Sequence, residues 1–113
     1  MGVRVTRETA LMFGVVYLRY NIYTLVEFEF DPTKSVANNA KHGIDFVAAQ
    51  ALWEDPDYIE RSARSATEPR IQVIGRIEQT TWSAFVTIRH EETIRIISVR
   101  RARPDEETLY RGA

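Results

Sequence analysis

The chain has no cysteine. That excludes a disulfide scaffold, a cysteine zinc site and a thiol nucleophile, and it accords with a reducing cytosol, so a cytoplasmic protein is expected. Lysine is nearly absent too: thirteen of the fifteen basic residues are arginine. There is no glycine-rich phosphate loop, no Gly-x-Ser-x-Gly and no pair of histidines on a helix. No cofactor is expected. Asp31, Asp45, Asp55 and Asp57 fall at helix ends, where aspartate caps, and do not form a metal-ligand pattern.

What is present fits one domain. The 113 residues are 44% apolar, enough for one modest core. The net charge of −1 hides segregation. Residues 27–60 carry two lysines against eight carboxylates, and residues 61–113 carry ten arginines against seven. An arginine-rich half beside an acidic half suits a local phosphate patch or ion pairs between the halves.

The first 26 residues stand apart. Ala10 to Val26 is largely apolar but is interrupted by Arg19 and Asn21. It is short for a membrane span and lacks a compelling signal cleavage site. Its β-branched and aromatic residues favour an extra strand or a loosely attached extension.

From residue 27 the pattern is sharper. Val26, Phe28 and Phe30 alternate with Glu27 and Glu29, the mark of a short half-buried strand. Asp31-Pro32 stops it and caps a helix over 32–41, ended by Gly43. Phe46, Ala49, Leu52 and Trp53 predict a second helix, closed by Asp55-Pro56-Asp57. Tyr58-Ile59 reads as a brief strand, and 61–69 as a loop. Strands are expected over 70–77, 81–90 and 93–101, the last two joined by a turn at Glu91-Glu92. Pro104 opens a terminal helix to Tyr110. The fold class is α+β: a short N-terminal strand, two helices, a three-stranded antiparallel meander and a short C-terminal helix.

Strand parity places Arg70, Gln72 and Arg76 on one face, with Phe85, Thr87 and Arg89 likewise opposed to Ala84 and Val86. In the last strand Ile97, Val99 and Arg101 share the parity of Arg95. Arg100 and Arg101 point to opposite faces, and a bulge would break this pattern. Guanidinium forks suit a phosphodiester or a carboxylate because each can hold two oxygens. Lys41 and His42 sit at a helix end, where histidine serves as a cap or as a general acid or base. His90 reads as an exposed loop residue.

These residues resemble the BrnT family of toxins from bacterial type II toxin–antitoxin pairs. The resemblance is carried by Phe28-Glu29-Phe30-Asp31-Pro32, Lys34, Asn38, Lys41-His42-Gly43, Phe46, Ala49 and Asp55-Pro56. It continues through Arg70, Ile74-Gly75, Thr87, Arg89, the run from Ile94 to Ala102, Glu106 and Tyr110. It covers residues 27–110, so 27–113 is read as the toxin domain. Phe30 stands where the family usually has tryptophan, Val99 where it usually has alanine, and 57–69 matches poorly.

The resemblance implies a compact fold similar to the RelE-type toxins and a ribonuclease activity without metal. It also implies a cognate BrnA-like antitoxin with a ribbon-helix-helix part, through which alone operator DNA would be reached. On this reading Lys41 or His42 moves the proton. Arg70, Arg89 and Arg100 or Arg101 hold the phosphate, with Arg95 beside them and Thr87 as a hydroxyl donor. Tyr110 either stacks on a base or serves structurally. A non-catalytic module, its arginines gripping an acidic partner segment, is the alternative. A DNA-binding domain would need a recognition helix that the sequence lacks.

Overall fold

The computed structural model describes residues 27–64, 68–90 and 93–112. The expected extra strand within residues 1–26 and the turn at Glu91-Glu92 lie outside the described residues. The described chain is α+β, built on a five-stranded sheet ordered β1-β5-β4-β3-β2. The strands are β1 (Glu27–Glu29), β2 (Ile59–Ala63), β3 (Arg70–Ile77), β4 (Thr80–Arg89) and β5 (Thr93–Arg101). β1 runs parallel to β5, and the other pairs are antiparallel. The expected meander therefore forms the middle of a wider sheet. Tyr58-Ile59 is the approach to a full edge strand that takes in Arg61, which was expected to be loop.

Helix α1 (Pro32–His42) starts and stops where its sequence says. The Asp31 carboxylate accepts from the Thr33 amide at 2.8 Å, and Gly43 takes the left-handed conformation at φ 80°. The helix buries only Ser35 and Asn38, so it is docked by hydrogen bonds more than by apolar area. Asn38 Nδ2 donates to the carbonyls of Ile44 (2.8 Å) and Val99 (2.9 Å), and its Oδ1 accepts from the Val99 amide at 3.1 Å. The Phe46 amide donates to Ser35 Oγ at 2.9 Å.

The second helix is a 3₁₀ helix (Ala48–Glu54). Phe46, Ala49 and Leu52 recur at strict threes, a spacing that lines up on a helix with three residues per turn. Asp45 caps it through the Ala48 amide at 2.7 Å. It packs close to β3 at Gly75, where a Cβ would lie 3.1 Å from Leu52 Cδ2 and 3.2 Å from Tyr58 Cβ. A terminal helix, α2 (Pro104–Tyr110), follows β5.

The core lies between the sheet and the layer of the 3₁₀ helix, with Ile44 and Phe46 ahead of it. Phe28, Val73, Ala84, Val86, Ile94, Ile96 and Val99 supply the sheet side, and Phe46, Ala49, Leu52 and Trp53 the other. Phe28 meets Trp53 edge to face at 4.9 Å, and Phe30 meets Phe46 likewise at 5.7 Å.

One correction to strand parity matters for function. The β4–β5 register slips between Phe85 and Val86: Phe85 pairs with Ser98, but Val86 pairs with Ile96. Ile97 is the extra residue of a bulge. The slip returns Val99 to the core face with Ile94 and Ile96. It also moves Arg100, rather than Arg101, onto the face that carries Arg95.

Candidate functional site

The sheet face turned away from the core gathers the polar side chains in rows, because directly opposed residues share a face. One row runs Glu29, Arg95, Thr87 across β1, β5 and β4. Arg70 continues it on β3: it precedes the Ile71–Val86 pair by one residue, which brings it level with Thr87. The next row holds Ser98, Phe85, Gln72 and Arg61. A third holds Arg100, Ser83 and Ile74. Arg89, opposite Thr93, lies at the other end.

Of the residues expected at a site, this face brings together Arg70, Thr87, Arg89, Arg95 and Arg100. Arg89 and Arg95 each point a terminal nitrogen at Glu29 Oε1, at 3.4 and 3.3 Å. Arg95 and Glu29 are about a third exposed. Beside them, Thr87 Oγ1 and Arg70 Nε are buried with no hydrogen-bond partner among the described residues. A buried donor left unmade costs about 1–3 kcal/mol, so two neighbouring orphans on one face call for an acceptor such as a water or an anion oxygen.

Arg100 is more constrained. Its two terminal nitrogens hold both oxygens of Glu106 at 2.8 Å, and its guanidinium carbon lies 5.2 Å from the centre of the Phe85 ring. Glu106 is buried and takes three further donors: Gln72 Nε2 at 2.8 Å, Ser83 Oγ at 2.9 Å and the Arg103 amide at 2.9 Å. The Arg100 guanidinium, with these donors, holds the Glu106 carboxyl far below the usual carboxylate range despite its burial. The Arg100 guanidinium is raised in turn by its bond to Glu106. This cluster pins α2 to the sheet and stiffens one border of the arginine face. A groove beside it is lined by Arg61, Arg64, Gln72, Phe85, Arg100 and Arg103.

Lys41, His42 and Arg101 fall elsewhere. α1 docks at the open edge of β5 beyond β1, where Asn38 bonds the backbone amide and carbonyl of Val99, so Lys41 and His42 lie on a helix at that edge and not on the strands that carry the arginine face. Neither side chain makes a hydrogen bond or ion pair with another described residue. Both occupy the last helical turn, where positive charge meets the free carbonyls favourably. Arg101 shares the core-face parity of Val99 and is exposed at the strand end.

Tyr110 is a structural tie in this geometry. Its hydroxyl donates to Asp55 Oδ2 at 2.7 Å, and the same oxygen accepts from the Arg76 amide at 2.8 Å. Burial first, then this bond to Asp55, pushes the phenol up to about 12. Asp55 thus joins the end of the 3₁₀ helix to β3 and α2, and Oδ1 accepts from the Asp57 amide at 2.8 Å. Asp31, Asp45 and Asp55 all bond backbone amides, as their positions at helix ends suggested.

Sequence reasoning assigned no role to Glu29, Phe85 or Glu106. A signal existed for Glu106: with Pro104 at the first helical position, a glutamate at the third can reach back to the N-cap amide, one half of a capping box.

The family model for BrnT, the ribonuclease toxin of type II toxin–antitoxin systems, matches residues 30–106. The chain belongs to the BrnT family. Among solved structures it is similar to the crystal structure of the Brucella abortus ribonuclease toxin BrnT. The match has a TM-score of 0.53 and 21% identity over 69% of this chain and 97% of that one. At that identity the likeness concerns the fold. No curated protein matches the chain. A BrnT-family chain is a ribonuclease toxin of a type II pair, which gives it RNA as substrate and an antitoxin as partner. No helix among the described residues is long and apolar enough to cross a membrane.

Proposed function

We propose that this BrnT-family chain cuts RNA on the arginine face of its sheet, without a metal ion, and so stops translation and arrests growth in the cytoplasm. The observation that carries this reading is the row of Arg95, Thr87 and Arg70, with its two unpartnered buried donors. Cleavage by the neighbouring 2′-hydroxyl passes through a crowded, doubly charged phosphorane. Fixed cationic donors that need no rearrangement stabilise such a state, often by roughly 10²–10³-fold per donor. Arg70 and Arg95 would meet the non-bridging oxygens, Thr87 would add a hydroxyl, and Arg89 would hold a flanking phosphate.

Lys41 and His42 have no place in this scheme. They lie on α1, off the strands that carry these donors, and neither side chain is hydrogen-bonded to one of them, so proton transfer falls to another group on the face. Arg100 acts through Glu106 and Phe85 as a buttress for the face. Tyr110 acts through Asp55.

The antitoxin we propose is BrnA-like, with a ribbon-helix-helix part that binds operator DNA for the pair. An acidic segment laid on Arg70, Arg89 and Arg95 would neutralise the toxin by taking the oxygens' place. The test is RNA integrity with purified protein in the presence of chelator, for the wild type and for Arg70→Ala and Arg95→Ala. Cleavage by the wild type that drops at least tenfold in both variants supports the reading. Intact RNA with every protein contradicts it, and leaves a module that only binds.

A further inference from the structure

Cleavage on the arginine face needs a group to take the proton of the attacking 2′-hydroxyl. We propose that Glu29 is this general base, an inference that rests on the RNA-cleaving role argued above.

Glu29 ends β1 in the same row as Arg95 and Thr87, so its carboxylate stands beside the donors that would hold the phosphate. The two arginine contacts go to one oxygen: Arg89 Nη1 and Arg95 Nη1 both meet Oε1. Oε2 has no hydrogen bond among the described residues. One oxygen is therefore anchored while the other is turned free, and the side chain is about one-third exposed, open to a substrate. An anchored carboxylate with a free oxygen is what a proton acceptor requires: fixed position, and one lone pair not already committed.

Glu27 shares this face but sits a row away from Arg95 and Thr87, level with Thr93 and Arg89, and its Oε2 accepts from Thr93 Oγ1 at 3.5 Å; Glu106 cannot serve. Glu106 is buried and receives five hydrogen bonds, so no lone pair faces outward for a substrate.

The step balances without another reagent. The 2′-hydroxyl gives its proton to Glu29 Oε2, and the 2′-oxygen–phosphorus bond forms. The bond from phosphorus to the 5′-oxygen breaks, and that oxygen takes a proton from water. The Glu29 proton then passes to the hydroxide left behind. The products are a 2′,3′-cyclic phosphate and a 5′-hydroxyl end. Arg89 and Arg95 keep the carboxylate in place, and Arg95 stays close to the non-bridging oxygens as negative charge builds on them.

The experiment compares wild type, Glu29→Gln and Glu29→Asp for cleavage across pH and for binding of a 2′-O-methyl RNA, which has no proton to give. Glutamine keeps an oxygen for both arginines but is no base. Glu29→Gln is expected to cut roughly 10²-fold or more slowly, to bind the 2′-O-methyl RNA no more weakly, and to lose the acid limb of the wild-type pH–rate profile. Glu29→Asp, with its carboxylate drawn back by one methylene, is expected to keep that limb at a reduced rate. Wild-type cleavage matched by Glu29→Gln with an unchanged profile overturns the role of Glu29 and leaves the arginine face standing. Wild-type protein that cuts no RNA overturns both.

Discussion

Arg100 closes on both carboxylate oxygens of Glu106 at 2.8 Å while its guanidinium rests against the ring of Phe85. The pair joins the last strand to the last helix six residues on, and recruits Gln72 and Ser83 from β3 and β4. An arginine that sequence alone offers as a phosphate fork is here spent on an internal anion.

Glu106→Gln breaks this buried pair and leaves Arg100 without its counter-charge. The expected cost is about 3 kcal/mol, seen as a lower urea midpoint at pH 7. The pH dependence has a definite sign. The folded carboxyl titrates far below the unfolded one, which lies near about 4.3. Its contribution is complete above that value and is lost as acid is added below it. The gap in stability between wild type and Glu106→Gln should narrow from pH 4 downward.

Tyr110→Phe removes one hydrogen bond to Asp55, which keeps its bonds from the Arg76 and Asp57 amides. The loss should be about 1 kcal/mol, with RNA cleavage within about twofold of wild type if Tyr110 touches no substrate. The folded phenol is pushed up to about 12, against about 10 when unfolded. Its contribution is therefore complete below pH 10 and lost as pH rises toward 12. Denaturation by urea across that range should show a flatter alkaline decline for the variant.

Asn38→Ala should be the most destabilising change on α1. It leaves the Val99 amide and the Ile44 carbonyl without the partner they have now, and the helix has little apolar area to hold it otherwise. A loss of about 2–4 kcal/mol is expected, measured by thermal or urea unfolding. Val36→Ala, at a position 72% exposed on the same helix, should change stability by less than about 0.5 kcal/mol.

Local chemistry made much of this fold legible. Asp31-Pro32 and Gly43 bound α1 because a capping carboxylate, a proline and a left-handed glycine act within a few residues. Three strands followed from their apolar alternation. The edge strand β2 was read as brief and its continuation as loop because Glu60, Arg61 and Ser62 are all exposed and show no alternation. The place of β1 beside β5, and the parallel sense of that pair, depend on contacts 66 residues apart and have no local signature. The bulge at Ile97 was the costliest omission, since one extra residue exchanged the faces of Arg100 and Arg101. Arg70, Arg89, Arg95 and Thr87 could be grouped by parity from the sequence. That the helix bearing His42 would dock at the edge of β5 could not, because it turns on where Asn38 bonds.

The most direct measurement sets the arginine face against the end of α1. Cleavage of one RNA is followed with chelator present for wild type, Arg95→Ala, Arg70→Ala and His42→Ala, all checked for folding by circular dichroism. The arginine variants should lose roughly 10²-fold in rate, and His42→Ala should stay within about twofold, with an unaltered pH profile. Loss of cleavage in folded His42→Ala, with Arg70→Ala and Arg95→Ala still active, would contradict the account and return the chemistry to the helix end.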